Sequence, residues 1–292
     1  MTLAKSYSWS IIESYREETF YMLPNLRVAS AREAIQFVDQ RGFVFFWPIS
    51  AFVFPSLWKA VAGNRPVASN QNDPAHITWS WKDDLLDKKV WYYAKVLRQK
   101  STIISLKLLP SFYALSPNYG EPEEDYLISY QDGNLSMEEK QIYEALLLNG
   151  PLDSIALRNE SRLASSANAA RFNRALNLLM RDFRVLPIGI AHVGAWNYAY
   201  VYDVVHRQFP NLIEKAHRIS ELDARVSILK AYFLSLGASR LNDIHKLFQW
   251  PQLLIDRAME SLLKEHFLVN QVKFRDVEGE WWMLTDLAGS KQ

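Results

Sequence analysis

Hydrophobic and polar positions follow the same programme twice along this chain. In the middle third, apolar residues recur three and four apart after Ser136-x-x-Glu139, a capping box that predicts a helix to about Asn149. Gly150-Pro151 then breaks the helix. A second short helix follows near Asp153 to Arg158, and a third runs from about Asn168 to Asp182, with Phe172, Ala175, Leu176 and Leu179 on one face. From Val185 to Tyr202 the pattern changes to alternation, predicting two strands around His192-Val193-Gly194. The last third repeats the scheme. Ser220-x-x-Asp223 opens a helix to Leu236, Gly237 stops it, Ser239 is the expected cap of the next, and Pro251 marks the start of a third. Leu268 to Leu284 reads as a closing hairpin that turns at Glu278-Gly279.

Three helices and a hairpin make the winged-helix plan. The first third is less regular: Ser30-x-x-Glu33 opens a helix to about Asp39, Gly42 to Trp47 reads as a buried strand, and Pro55 starts a helix through Ala62. Gly63 to Pro66 and Ser69 to Pro74 are turns, and Val90 to Val96 with Thr102 to Leu108 forms a hairpin. Pro117 to Asp125 reads as a surface connection. The predicted fold is therefore a mainly helical α+β chain of tandem winged helices (helix-turn-helix plus β-hairpin). Its segments are 1–134 (divergent), 135–218 and 219–292.

Composition narrows the function. No apolar run approaches the roughly 20 residues of a membrane helix, and no export signal opens the chain, so a cytoplasmic protein is expected. The absence of cysteine excludes disulfides and thiolate chemistry. The six histidines show no metal-binding spacing, and no phosphate-cradling glycine motif is present, so no metal, nucleotide or other cofactor is expected. With 33 Lys+Arg against 32 Asp+Glu, any nucleic-acid-binding charge must be concentrated locally. Between Lys82 and Lys107 seven basic residues, including Lys82, Lys88 and Lys89, face three acidic ones, interleaved with Trp79, Trp81, Trp91, Tyr92 and Tyr93. That mixture suits phosphate tracking and base stacking. It equally suits a hairpin with its aromatics in the core and lysines on the rim.

Several strings, in order, resemble one family. They are Arg41-Gly42-Phe43-Val44, Ile49-Ser50, Leu57-Trp58, Leu109-Pro110, Asn149-Gly150-Pro151-Leu152, Ala175 to Leu179, Tyr202-Asp203-Val204-Val205, and Tyr232-Phe233 through Gly237-Ala238. Over roughly residues 30 to 284 the chain resembles the AlkZ-type (YcaQ-like) winged-helix DNA glycosylases of bacteria. The resemblance implies a double-stranded DNA partner, recognition of damaged (alkylated) bases and DNA repair by hydrolysis of N-glycosidic bonds. It also places the family's catalytic Gln-apolar-Gln or Gln-apolar-Asp triplet on Phe45, Phe46 and Trp47.

Neither Phe45 nor Trp47 can position water or stabilise an oxocarbenium-like state, so the family's excision does not transfer with the resemblance. Phe45 and Trp47 could contact bases, or the segment 43–47 could be core. Replacement carboxylates are conceivable at Asp83 or Asp84, or at Glu17 or Glu18. On the third helix of the middle segment, Arg171, Arg174, Asn177 and Arg181 fall away from the apolar face, where groove or phosphate contact requires them. The rival reading is a non-catalytic scaffold or transcriptional regulator that uses its winged helices on protein partners.

Overall fold

The computed structural model describes residues 6–118 and 120–289. It is an α+β protein with small sheets among many helices. The chain forms two compact units: one from the described residues up to Thr78 together with those from Glu221 onward, the other from Trp79 to Ser220. The helix Ile77–Asp84 carries the chain across the first division.

Within the Trp79–Ser220 unit the predicted programme appears with small shifts of boundary. Ser136 accepts from the Glu139 amide while the Glu139 carboxylate takes the Ser136 amide, closing the capping box on helix Met137–Asn149. Asp153 caps Ser154–Glu160 through the amides of Ile155 and Ala156. Helix Ala169–Arg181 buries Phe172, Ala175, Leu176 and Leu179, the periodic face read from sequence, and Met180 beside them. Strands Val185–Ala191 and Ala199–Val204 pair antiparallel, and the short strand Leu152–Asp153 joins the outer side of the latter.

The string Tyr202-Asp203-Val204-Val205 has a structural task in this unit. The fully buried Asp203 holds the Arg207 guanidinium at 2.5 Å, and Arg207 donates onward to the carbonyls of Leu146 and Leu147 at the end of helix Met137–Asn149. That cation complements the negative end of the helix and satisfies the Leu147 carbonyl, while the Leu146 carbonyl also takes the Gly150 amide.

The hairpin Trp91–Lys95/Ser101–Ser105 turns Trp91, Tyr92 and Tyr93 inward, and Tyr92 stacks on Phe183 at 5.2 Å. The Tyr92 hydroxyl has no hydrogen-bond partner among the described residues. A buried hydroxyl without a partner costs free energy. Tyr92→Phe is therefore expected to raise stability by about 1 kcal/mol in urea unfolding at neutral pH. A loss of that size would mean the hydroxyl is satisfied.

In the other unit, helix Glu221–Leu236, strand Ala238–Ser239, helices Leu241–Phe248 and Gln252–Lys264, and strands Leu268–Phe274 and Trp281–Leu284 repeat the same order. The strand pairing repeats too: Met283 faces Ala238 and Trp282 faces Ser239. Gly237 ends the long helix at φ 75°, and a Cβ there would lie 2.9 Å from the Tyr15 ring. Ser239 does not cap the next helix. Its hydroxyl is bonded to Tyr232 at 2.8 Å, and Arg240 takes the N-cap position with no side-chain bond to the helix's first amides.

This unit also contains the N-terminal segments. Strand Ser6–Tyr7 runs parallel to Leu268–Phe274, and helix Ser10–Thr19 packs on Glu221–Leu236. Helix Ala31–Arg41 has its Ser30 cap, and Leu57–Ala62 is capped by Ser56 rather than started by Pro55. An aromatic core joins the two ends of the chain here: Phe54 stacks on Tyr232 at 5.7 Å and lies 4.7 Å from Phe43.

Three departures from the predicted boundaries concern length and kind. The segment predicted as a surface connection continues into helix Pro122–Gln131. The helices Ser10–Thr19, Leu109–Ala114 and Leu212–His217 lie outside the predicted elements, being only 10, 6 and 6 residues long, too short for a periodic pattern to stand out. Finally, the elements between Ala31 and Ser105 repeat the order helix, strand, helix, helix, hairpin, but the division at Thr78 separates their first helices from their hairpin.

Candidate nucleic-acid interface

Helix Ala169–Arg181 contains three arginines, two asparagines and no acidic residue. Its buried face leaves Arg171 and Arg174 exposed, while Asn177 is half-buried. Arg171 approaches Glu138 only at 3.8 Å from an exposed position, a pairing of little energetic weight. Arg174 makes no ion pair among the described residues. Arg181 is committed differently, with its guanidinium forked onto Asp182 at 2.6 and 2.7 Å, which cancels its charge locally. The segment before the helix, Ala164 to Ala167, is exposed and small, so a phosphate backbone could approach the helix start closely.

The same unit presents its hairpin in an unusual way. Trp196, at the tip between the two strands, is 91 % exposed. Apolar surface of that size is costly to leave in water, and at a hairpin tip it is suited to stacking or wedging against a base. Sequence reasoning read this turn only as His192-Val193-Gly194. The available signal was the indole in Ala195-Trp196-Asn197, inside a predicted turn where a large apolar residue has no core to enter.

Below the tip lies a buried polar cluster. Lys82 on helix Ile77–Asp84 is only 1 % exposed, and its ammonium donates to the hydroxyls of Tyr198 and Tyr200 and pairs with Asp83 at 2.6 Å. Asp83 accepts in turn from the Tyr198 hydroxyl at 3.1 Å. The ammonium sits over the rings of Tyr200 at 4.6 Å and Trp79 at 4.8 Å. Burial pulls the Lys82 pKa below the usual lysine value, opposed by the bond to Asp83. Burial likewise pushes the Tyr198 hydroxyl up to about 12. These groups pin the hairpin to the helix, because Tyr198 immediately precedes its second strand and Tyr200 lies near that strand's start.

The cluster corrects one expectation. Lys82 is held inside the molecule by Tyr198, Tyr200 and Asp83, so as placed it is not a surface phosphate contact. Asp83 is committed to the same pin and Asp84 is exposed, so the two do not form a catalytic pair. Glu17 and Glu18 are exposed on helix Ser10–Thr19. Lys88 and Lys89 are exposed, with Lys88 paired to Asp87 at 2.8 Å. The described residues contain no cluster of His, Asp and Glu able to hold a metal.

Positions 45–47 are accounted for by packing. Phe45 and Phe46 are buried, and Phe45 lies among Phe52 and Phe54. Trp47 is half-buried and packs against the cluster of Trp58, Ala62 and Ala75. No polar or anionic side chain stands at the triplet positions.

A family model, "AlkZ related", matches residues 28–249, and the chain belongs to that family. Among solved structures it is similar in fold to the Streptomyces sahachiroi DNA glycosylase AlkZ, with a TM-score of 0.59 at 12% identity, over 98% of this chain and 73% of that one. No curated protein matches it in sequence. No helix among the described residues is long and apolar enough to cross a membrane.

Proposed function

We propose that this chain is a cytoplasmic DNA-binding protein of tandem winged helices that recognises damaged, alkylated duplex DNA, and that it does not excise bases through residues 45–47. The supporting observation is the acid-free exposed face of helix Ala169–Arg181, with Arg171 and Arg174 free of strong ion pairs. In this reading the helix contacts the backbone or groove, and Trp196 on the pinned hairpin meets a base that damage has loosened from its stack. The family's relationship to a DNA glycosylase supports a DNA substrate. The apolar triplet argues that recognition has outlasted that route to chemistry.

Duplex binding measured over a salt series tests this. Arg171→Ala with Arg174→Ala is expected to lower the slope of log affinity against log salt by about 2, one ion release per lost phosphate contact. Trp196→Ala is expected to leave that slope unchanged and to weaken binding to an alkylated or abasic duplex by roughly 5- to 150-fold. Strand-cleavage assays on the same samples should show no released base. An unchanged slope in the double variant would reject this helix as the contact surface and favour a protein partner.

A further inference from the structure

The unit formed by the two ends of the chain contains a cavity of about 310 Å³, at the small end of ligand-site volumes. Its walls are aromatic, with Trp9, Phe52, Tyr232 and Trp281, and its charged residues are Arg16, Arg240, Lys246 and Asp243. Arg240 and Asp243 satisfy each other, with guanidinium-to-carboxylate bonds of 2.9 and 3.2 Å. Arg16 has no such partner. Its Nε donates to the Leu236 carbonyl at 3.0 Å and its Nη2 to the Ala238 carbonyl at 2.9 Å, while Nη1 makes no hydrogen bond to any described residue. The guanidinium lies 5.0 Å from the Trp9 ring centroid. Two backbone acceptors and one stacked ring thus fix the plane of a half-buried cation that has no carboxylate bonded to it, the nearby Asp243 being engaged by Arg240. Burial lowers its pKa to about 10, which leaves it charged at neutral pH.

A fixed guanidinium with an unused edge, in a cavity with aromatic walls, matches a particular ligand chemistry. The charge calls for a carboxylate or phosphate, and the walls call for a flat apolar ring. Exposed Lys246 adds a second positive charge among the lining residues. We infer that this cavity binds a small planar aromatic anion, with its charged group on Arg16 and its ring against Trp9 and Phe52. The inference rests on the cavity alone and is independent of how the chain meets DNA.

Calorimetric titration of the full chain with four probes tests it: deoxyadenosine monophosphate and indole-3-carboxylate, each beside its neutral counterpart, deoxyadenosine and indole-3-carboxamide. At least one anion is expected to bind at least about tenfold more tightly than its neutral counterpart, and the preferred anion identifies the head group. Arg16→Met should remove that preference, and Lys246→Glu, a surface change that leaves the Arg16 carbonyl bonds intact, should weaken anion binding about tenfold. If Arg16→Met fails to fold, Lys246→Glu decides. Equal binding of anion and neutral probe, binding unaffected by these substitutions, or no binding of any probe at millimolar concentration would overturn the assignment.

Discussion

Raising the pH above 10 is expected to unfold this protein in one cooperative step. Tyr92, Tyr113, Tyr143, Tyr202 and Tyr232 are all buried, and burial raises each hydroxyl to about 12 or beyond. In the unfolded chain each ionises near 10. Above that pH the unfolded state has released protons that the folded state still holds, so stability falls as pH rises, by up to about 1.4 kcal/mol per tyrosine per pH unit. At pH 11 the five together cost on the order of 7 kcal/mol, comparable to the whole stability of an ordinary domain. Lys82 acts with the opposite sign. Its depressed pKa means that the unfolded chain binds the extra proton between the folded value and 10.5, so this one group gains stability across that window. It cannot offset five tyrosines. Circular dichroism and absorbance at 295 nm should therefore change together between pH 10 and 12. Gradual tyrosine ionisation with the fold intact would show that these rings reach solvent.

The second large effect is expected at Lys82. Lys82→Ala removes the ammonium but leaves Asp83, Tyr198 and Tyr200 around the vacancy, and losing one partner of a buried pair costs about 3–5 kcal/mol. Lys82→Met fills most of the volume and should cost less. The comparison separates packing from charge in urea unfolding. Because the cluster holds the start of the hairpin's second strand, amide exchange at residues 192–198 is expected to accelerate in Lys82→Met while helix Met137–Asn149 keeps its protection. Unchanged exchange at the tip would show that the hairpin is held by its own strand pairing.

The elements legible in the sequence are those whose signals are local. The capping box at Ser136, the N-cap at Ser30, the stop at Gly237 and the 172/175/176/179 face all reported correctly, because each involves residues within a turn or two of one another, although the Glu33 carboxylate takes the Ala29 amide and so leaves the box at Ser30 unclosed. Helix Pro122–Gln131 escaped for a physical reason. It buries Asp125 and Ser129 while exposing Leu127 and Ile128, so its polarity runs against the pattern that identifies a helix. Lys82 escaped because its partners lie 116 and 118 residues away, and no spacing rule connects them. In Ser239 the local expectation was displaced by a tertiary bond to Tyr232.

One feature of the architecture bears on how the chain is made. The unit that contains the N-terminal helices is completed only by residues from Glu221 onward, with Ser6–Tyr7 pairing against Leu268–Phe274 and Phe54 stacked on Tyr232. During synthesis the Trp79–Ser220 unit has all its residues in hand while Phe43 and Phe54 still wait for Phe248 and Tyr232. The ribosome therefore releases the inner unit first and leaves the outer one open for the time needed to add the final stretch, an interval in which chaperone capture or premature termination would act on an exposed aromatic surface.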